Sequence, residues 1–168
     1  MAIRNILKDG EPTLRKRSRE VASFDRRLHE LLDDMAETME QADGAGLAAP
    51  QVGVLRRVAV VAGPDGMIEL INPTITATEG EQTGVEGCLS FPGIYGIVTR
   101  PEKVTVTAQN RYGETFSVTG EGIVARAFCH EIDHLDGVVF TEKVERFLTE
   151  EELRSLNEEA GDGEPENR

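Results

Sequence analysis

Phe128-Cys129-His130-Glu131-Ile132-Asp133-His134-Leu135 carries the pattern His-Glu-x-x-His, and the reading of the whole chain turns on it. On a helix of 3.6 residues per turn, His130 and His134 stand one turn apart on one face, where two imidazoles can grip one metal ion. At about 100° per residue, Glu131 lies about 100° from His130 but only about 60° from His134. Its carboxylate can therefore lean over the open side of the ion without ligating it, which is where a general base stands. Coincidence is the alternative, and ordinary residue frequencies place this spacing in about one chain of this length in a few hundred. A metal site is the preferred reading.

Around this motif, Ile123, Val124, Ala127, Phe128, Ile132 and Leu135 spread over most of the helix circumference, so the helix is expected to be enclosed, with Gly137 ending it. Two histidines and two acids on an enclosed helix need partners, because each uncompensated polar group costs several kcal/mol, of order 2–7. A metal with hydrogen-bonded neighbours meets that need. A catalytic ion commonly keeps three protein ligands and an open position. No histidine follows His134; downstream Glu142, Glu145 and the acids of the tail are available, and upstream Cys88 offers a soft thiolate in a tight Gly-Cys segment. Cys129 points away from both imidazoles and reads as a small buried apolar residue.

Toward the N-terminus, residues 7–21 read as an arm laid over the body. Leu28, Leu31, Leu32, Met35 and Met39 recur at helical spacing after a cap at Ser23 or Asp25, giving an amphipathic helix whose end is expected at Asp43-Gly44, with glycine in the left-handed position. His29 reads as solvent-facing. The run Gly44 to Gln51 superficially matches a dinucleotide fingerprint, but it follows a helix and runs into Pro50, so that reading is rejected. Its small residues let backbone approach something closely, and Gln51 offers a neutral donor.

A hairpin is expected from Arg57–Ala62 to Met67–Asn72 around Pro64-Asp65-Gly66, then a polar stretch Thr74–Gly84, and a second hairpin from Lys103–Gln109 to Phe116 and Val118. Val138–Phe140 reads as a last strand. Thr149 with Glu152 forms a capping box for a short final helix through Leu153 and Leu156, with disorder expected beyond Glu158. The expected division is a catalytic domain over 1–148 and a helix with an acidic tail over 149–168.

The net charge is −13; from Glu150 to Arg168 eight acids face two arginines, a net of −6, which leaves −7 for the body. Phosphate backbones are bound through lysine and arginine, so no direct nucleic-acid binding is expected. No apolar run approaches the roughly 18 residues of a membrane span, and no signal or transit peptide is recognised, which makes the cytoplasm the expected location. Two cysteines in this setting suggest reduced thiols.

Three segments together, Gly44-Ala45-Gly46-Leu47-Ala48-Ala49-Pro50-Gln51, Glu86-Gly87-Cys88-Leu89-Ser90 and His130-Glu131-Ile132-Asp133-His134, resemble the peptide deformylases in order and spacing. The resemblance extends from the arm to about residue 147. It implies an α+β fold in which antiparallel β-sheets surround a central metal-binding helix, with an N-terminal amphipathic helix and a short C-terminal helix. It implies one Fe²⁺ per chain, with Zn²⁺, Ni²⁺ or Co²⁺ as substitutes, held by Cys88, His130 and His134. The implied reaction is removal of the formyl group from N-formylmethionine on nascent peptides: hydroxide on the metal attacks, Glu131 is general acid and base, and Gln51 with the Leu89 backbone N–H stabilises the oxyanion.

By the same resemblance, the substrate backbone runs beside Ala45, Gly46 and Gly87, and methionine enters a pocket near Ile123, Ala127 and His130. The family usually has a larger aliphatic where Ala45 stands, so that residue and Tyr95 bear on the pocket's width. A monomer with transient ribosome proximity is expected. Asp133 and Arg100 are candidates to orient an imidazole, against the alternative of plain surface salt bridges, preferred for Arg100. Two rivals remain: a metalloprotease with a downstream acidic ligand, and a non-catalytic peptide-binding module.

Overall fold

A computed structural model of the protein describes residues 2–161, with 159–161 described by backbone alone. The most apolar strand runs through its middle. β2 (Val58–Gly63) pairs antiparallel with β1 (Gly46–Ala48) on one side and with β3 (Gly66–Glu79) on the other. β3 in turn pairs with β6 (Lys103–Gln109), and β6 with β7 (Thr115–Glu121), giving a five-stranded antiparallel sheet in the order β1-β2-β3-β6-β7. Successive side chains on β2 point to opposite faces, so Val58 and Val60 meet one helix while Val61 meets another. Coverage on both faces explains why the strand reads as a continuous apolar run.

On one face lies α1 (Arg26–Gln41), whose Leu28, Leu31, Leu32, Met35 and Met39 pack on Leu47, Val58, Val60 and Ile71. Asp25 caps it, its side chain accepting from the Leu28 N–H at 3.2 Å. At the other end the left-handed residue is Asp43 (φ 57°), not the expected Gly44. The Gly44 N–H still reaches back to the Met39 carbonyl at 3.0 Å, which closes the helix in the way glycine was expected to. His29 is half-buried rather than solvent-facing, with Nε2 2.8 Å from the Arg111 carbonyl and an edge-on contact to Tyr112.

The opposite face receives α2 (Ile123–Leu135), the helix of the His-Glu-x-x-His motif; Ala125, Ala127, Phe128, Cys129 and Ile132 pack on Val61, Leu70, Val104, Val106 and Ala108. Enclosure is complete only along its later turns, since Ile123 remains 68% exposed. Gly137 (φ 78°) ends the helix as expected, and a Cβ there would stand 2.7 Å from the Arg15 carbonyl oxygen.

A smaller antiparallel sheet, β4-β5-β8, is built from β4 (Gln82–Glu86), β5 (Gly96–Arg100) and β8 (Arg146–Phe147). The polar stretch Thr74–Gly84 is thus largely strand: β3 continues to Glu79 with mostly exposed side chains, held by its ladder to β6 rather than by burial. The strand expected at Val138–Phe140 is instead a 3-10 turn, Phe140–Glu142, with β8 as the last strand. The capping box forms: Glu152 N–H donates to Thr149 Oγ1 at 3.1 Å and Thr149 N–H to Glu152 Oε1 at 3.0 Å. The helix it opens, α3 (Glu150–Gly161), continues past Glu158, where disorder was expected; residues 162–168 lie outside those described.

The N-terminal arm ties these layers together. Its Leu7 N–H donates to the Gln51 carbonyl at 2.7 Å, Asp9 N–H to Ser90 at 2.9 Å and Ser18 N–H to Leu135 at 2.8 Å. No helix among the described residues is long and apolar enough to cross a membrane.

Candidate metal centre and active site

α2 presents His130 and His134 one turn apart, 5.0 Å between ring centroids, and the loop after β4 brings Cys88 to them. The three side chains are buried, and one ligand atom from each lies within 4.8 Å of the others. Cys88 Sγ stands 3.3 Å from His134 Nε2. Two such donors bound tetrahedrally to one ion, at about 2.3 and 2.0 Å, would stand about 3.5 Å apart, so the spacing fits a shared metal. Two of the downstream acids are engaged elsewhere: Glu142 Oε2 accepts from the Val139 N–H and Glu145 Oε2 from Thr99 Oγ1. Cys88 completes the three-donor cluster. Cys129 lies in the core under α2, where burial pushes its thiol pKa up.

Electrostatics point the same way. Burial opposes charge on His130, yet Cys88, Glu131 and Glu86 around it hold its pKa well above 6.5. Burial and the neighbouring His130 hold His134 well below 6.5. A site that draws a proton onto one imidazole lacks positive charge, and a cation between the three donors would supply it.

Glu131 is 3% exposed, and its Oε1 is buried without a hydrogen-bond partner among the described residues. Burial raises its carboxyl pKa to about 7, with Glu86 adding to the rise and His130 opposing it. A Cβ on Gly46 would stand 2.6 Å from Glu131 Oε2, so the small-residue run passes directly against the carboxylate. Gln51 is held by its oxygen: Oε1 accepts from the Ala48 N–H at 2.9 Å, which turns Nε2 toward Ser90 Oγ at 3.1 Å and Cys88 Sγ at 3.6 Å. Leu89 follows Cys88 directly and is half-buried.

His130 Nδ1 lies 2.7 Å from Glu86 Oε2, and this carboxylate, not Asp133, orients the imidazole. Arg100, expected at the surface, is 6% exposed; its Nε and Nη2 grip Glu86 at 3.1 and 2.7 Å while Nη1 reaches Asp133 at 2.7 Å. Arg126 adds a fourth bond to Glu86 at 2.8 Å. Burial would raise the Glu86 carboxyl, but His130 and Arg100 hold it well below the usual carboxylate range. Sequence reading gave Glu86, Arg126 and Ser90 no role. One signal was present for Arg126, which precedes His130 by four residues and so shares its helix face.

A cavity of about 300 Å³ opens beside this cluster. All five residues expected at the substrate, Ala45, Gly46, Gly87, Ile123 and Ala127, line it, with Tyr95, Val85, Glu86, Arg126, His130, Glu131 and Leu156.

Residues 3–150 match the family model described as polypeptide deformylase. The chain is 56% identical over 158 residues to the peptide deformylase of Acetivibrio thermocellus, covering 94% of this chain and 93% of that protein. It is 50% identical to peptide deformylase 1 of Bacillus subtilis, covering 93% and 99%. Among solved structures, peptide deformylase from Thermotoga maritima superposes with a TM-score of 0.82 at 40% identity, covering 84% of this chain and 97% of that one. The enzyme from Synechococcus elongatus, in complex with actinonin, gives 0.80 at 38% identity, covering 93% and 85%.

Proposed function

Because this chain belongs to the polypeptide deformylase family and removes the formyl group from the N-terminal methionine of newly made proteins, we propose that Cys88, His130 and His134 hold its ion and that Glu131, Gln51 and Leu89 serve the chemistry. The observation that carries this assignment is the convergence of the three donors beside an unpartnered Glu131 oxygen. A divalent ion there supplies a Lewis acid that acidifies water and polarises the formyl oxygen.

Glu131 takes the proton of the attacking water and returns it to the departing amine. Burial raises its carboxyl pKa and a cation held by the three donors would lower it, so the group is tuned to accept a proton and give it back. Gln51 Nε2 donates to the formyl oxygen as it gains charge, and it is ready to do so because Ala48 pins the other end of the amide. The Leu89 N–H is the second donor. Formate and a free amine leave.

The substrate backbone lies beside Ala45, Gly46 and Gly87, where β1 and β4 are the edge strands of their sheets, and an extended peptide can add to such an edge. The methionine side chain occupies the cavity by Ile123 and Ala127. The ion is Fe²⁺, with Zn²⁺, Ni²⁺ or Co²⁺ able to replace it, since a soft thiolate with two imidazoles suits all of these metals. The chain works as a monomer in the cytoplasm near emerging nascent chains; with a net charge of −13 over its 168 residues, it makes no direct contact with nucleic acid. The test is formate release from formyl-Met-Ala by protein loaded anaerobically with Fe²⁺. Stoichiometric formate and free amine are expected, and no formate overturns the assignment.

A further inference from the structure

Leu156 is the one described residue of α3 that lines the cavity. The other walls come from the β1 edge, β4 with the loop after it, Tyr95 and α2. α3 is set in direction at its first turn. Arg146 donates to both Glu152 oxygens, at 2.7 and 3.0 Å, and Arg146 itself sits on β8 opposite Ile97 of β5. The Thr149–Glu152 capping pair fixes the same turn from the helix side. Leu153 and Leu156, three residues apart on one helix face, are both half-buried, while Glu150, Glu151 and Arg154 are exposed. At the cavity mouth stand Ile123, 68% exposed, and Val85, 40% exposed, apolar groups with surface left to cover.

We infer that Leu156 is a specificity-determining contact for the methionine side chain, so that α3 belongs to the substrate site rather than to an appended tail. The inference rests on the deformylase reading, which places methionine in this cavity beside Ile123 and Ala127. A thioether side chain gains affinity from apolar wall on each side of it, and Leu156 supplies a side that no residue of 1–148 supplies in the same position. Because the Leu156 side chain is apolar and offers no donor, acceptor or ligand to the reacting atoms, it acts on binding and not on the bond-breaking step.

Full-length protein loaded anaerobically with Fe²⁺ is assayed on formyl-Met-Ala-Ser and formyl-Ala-Ala-Ser. Leu156→Ala is expected to raise KM for the methionyl peptide about five-fold with kcat nearly unchanged. The alanyl peptide, whose side chain is too short to reach the wall, keeps its kcat/KM. The chain has no tryptophan, so Leu156→Trp also gives a lone fluorescent reporter at the wall. Its emission is expected to change on adding the product Met-Ala-Ser and not on adding Ala-Ala-Ser. An equal change of kcat/KM on both substrates, no change on either, or emission indifferent to Met-Ala-Ser overturns the inference. If the unsubstituted protein releases no formate from either peptide, the deformylase reading itself fails, and the emission measurement still decides whether the wall meets a methionyl side chain.

Discussion

Glu86→Gln removes the carboxylate on which the metal-bearing helix is oriented. Glu86 accepts four hydrogen bonds, from Arg100 Nε and Nη2, Arg126 Nη1 and His130 Nδ1, at 2.7 to 3.1 Å. An amide keeps one accepting oxygen and turns a donor toward two of these four donors, so about two charge-assisted bonds are lost, at about 1.5–3 kcal/mol each. The substitution also leaves Arg100 and Arg126 with only Asp133 between them, a buried positive excess. A loss of about 3–6 kcal/mol is a large part of a domain's stability and lowers Tm by roughly 10 °C or more at this chain length.

Free to rotate, the His130 imidazole should lose about 10- to 100-fold in metal affinity. The assays are thermal unfolding, and iron retained after dialysis against a graded chelator. The pH dependence adds a sign. The folded Glu86 carboxyl titrates far below its usual 4.5, so its contribution is present above about 4.5 and is lost as pH falls through the folded value. The variant should therefore show a shallower loss of stability in acid. Unchanged Tm together with unchanged iron retention would refute the role given to Glu86.

Gly46→Ala puts a Cβ 2.6 Å from Glu131 Oε2. Because a displacement of about 1 Å can cost roughly 100-fold, kcat should fall by about that factor while bound iron is kept, as activity and metal analysis on one sample will show. Glu131 must be ionised to take a proton, so kcat/KM should fall as pH drops through its pKa, which lies below the metal-free value of about 7 once a cation is near. Glu131→Gln should leave a residual rate without that acidic limb. Asp34 holds the arm through the Ala2 N–H at 2.7 Å and Arg4 Nε at 2.9 Å, so Asp34→Asn should expose the arm to proteolysis before residue 10, detectable by mass spectrometry of the clipped chain; cleavage indistinguishable from that of the parent would sink this role.

Much of this was legible in the chain because the signals are local. The helical period of Leu28 to Met39, the Thr149–Glu152 capping pair, Gly137 and the spacing of His130, Glu131 and His134 each depend on neighbours within a turn or two. What could not be read depends on pairing across the fold. β3 from Thr74 to Glu79 has mostly exposed side chains and only a short apolar alternation, Ile75 and Ala77 between threonines, so its ladder to β6 is what makes it a strand. Glu86 gains meaning from Arg100 on β5 and from Arg126 and His130 on α2, groups 14 to 44 residues away. Leu156 was visible as an apolar helix position, but the cavity it faces is assembled from residues 45–131.

The assignment of Cys88 as the third ligand joins the two halves of the site, and iron bound per chain in Cys88→Ala tests it most directly. Measured anaerobically after gel filtration, the parent should hold one iron and the variant close to none, with its fold retained by circular dichroism. A variant that keeps its iron and releases formate at the parent rate would contradict the assignment and place the third ligand elsewhere.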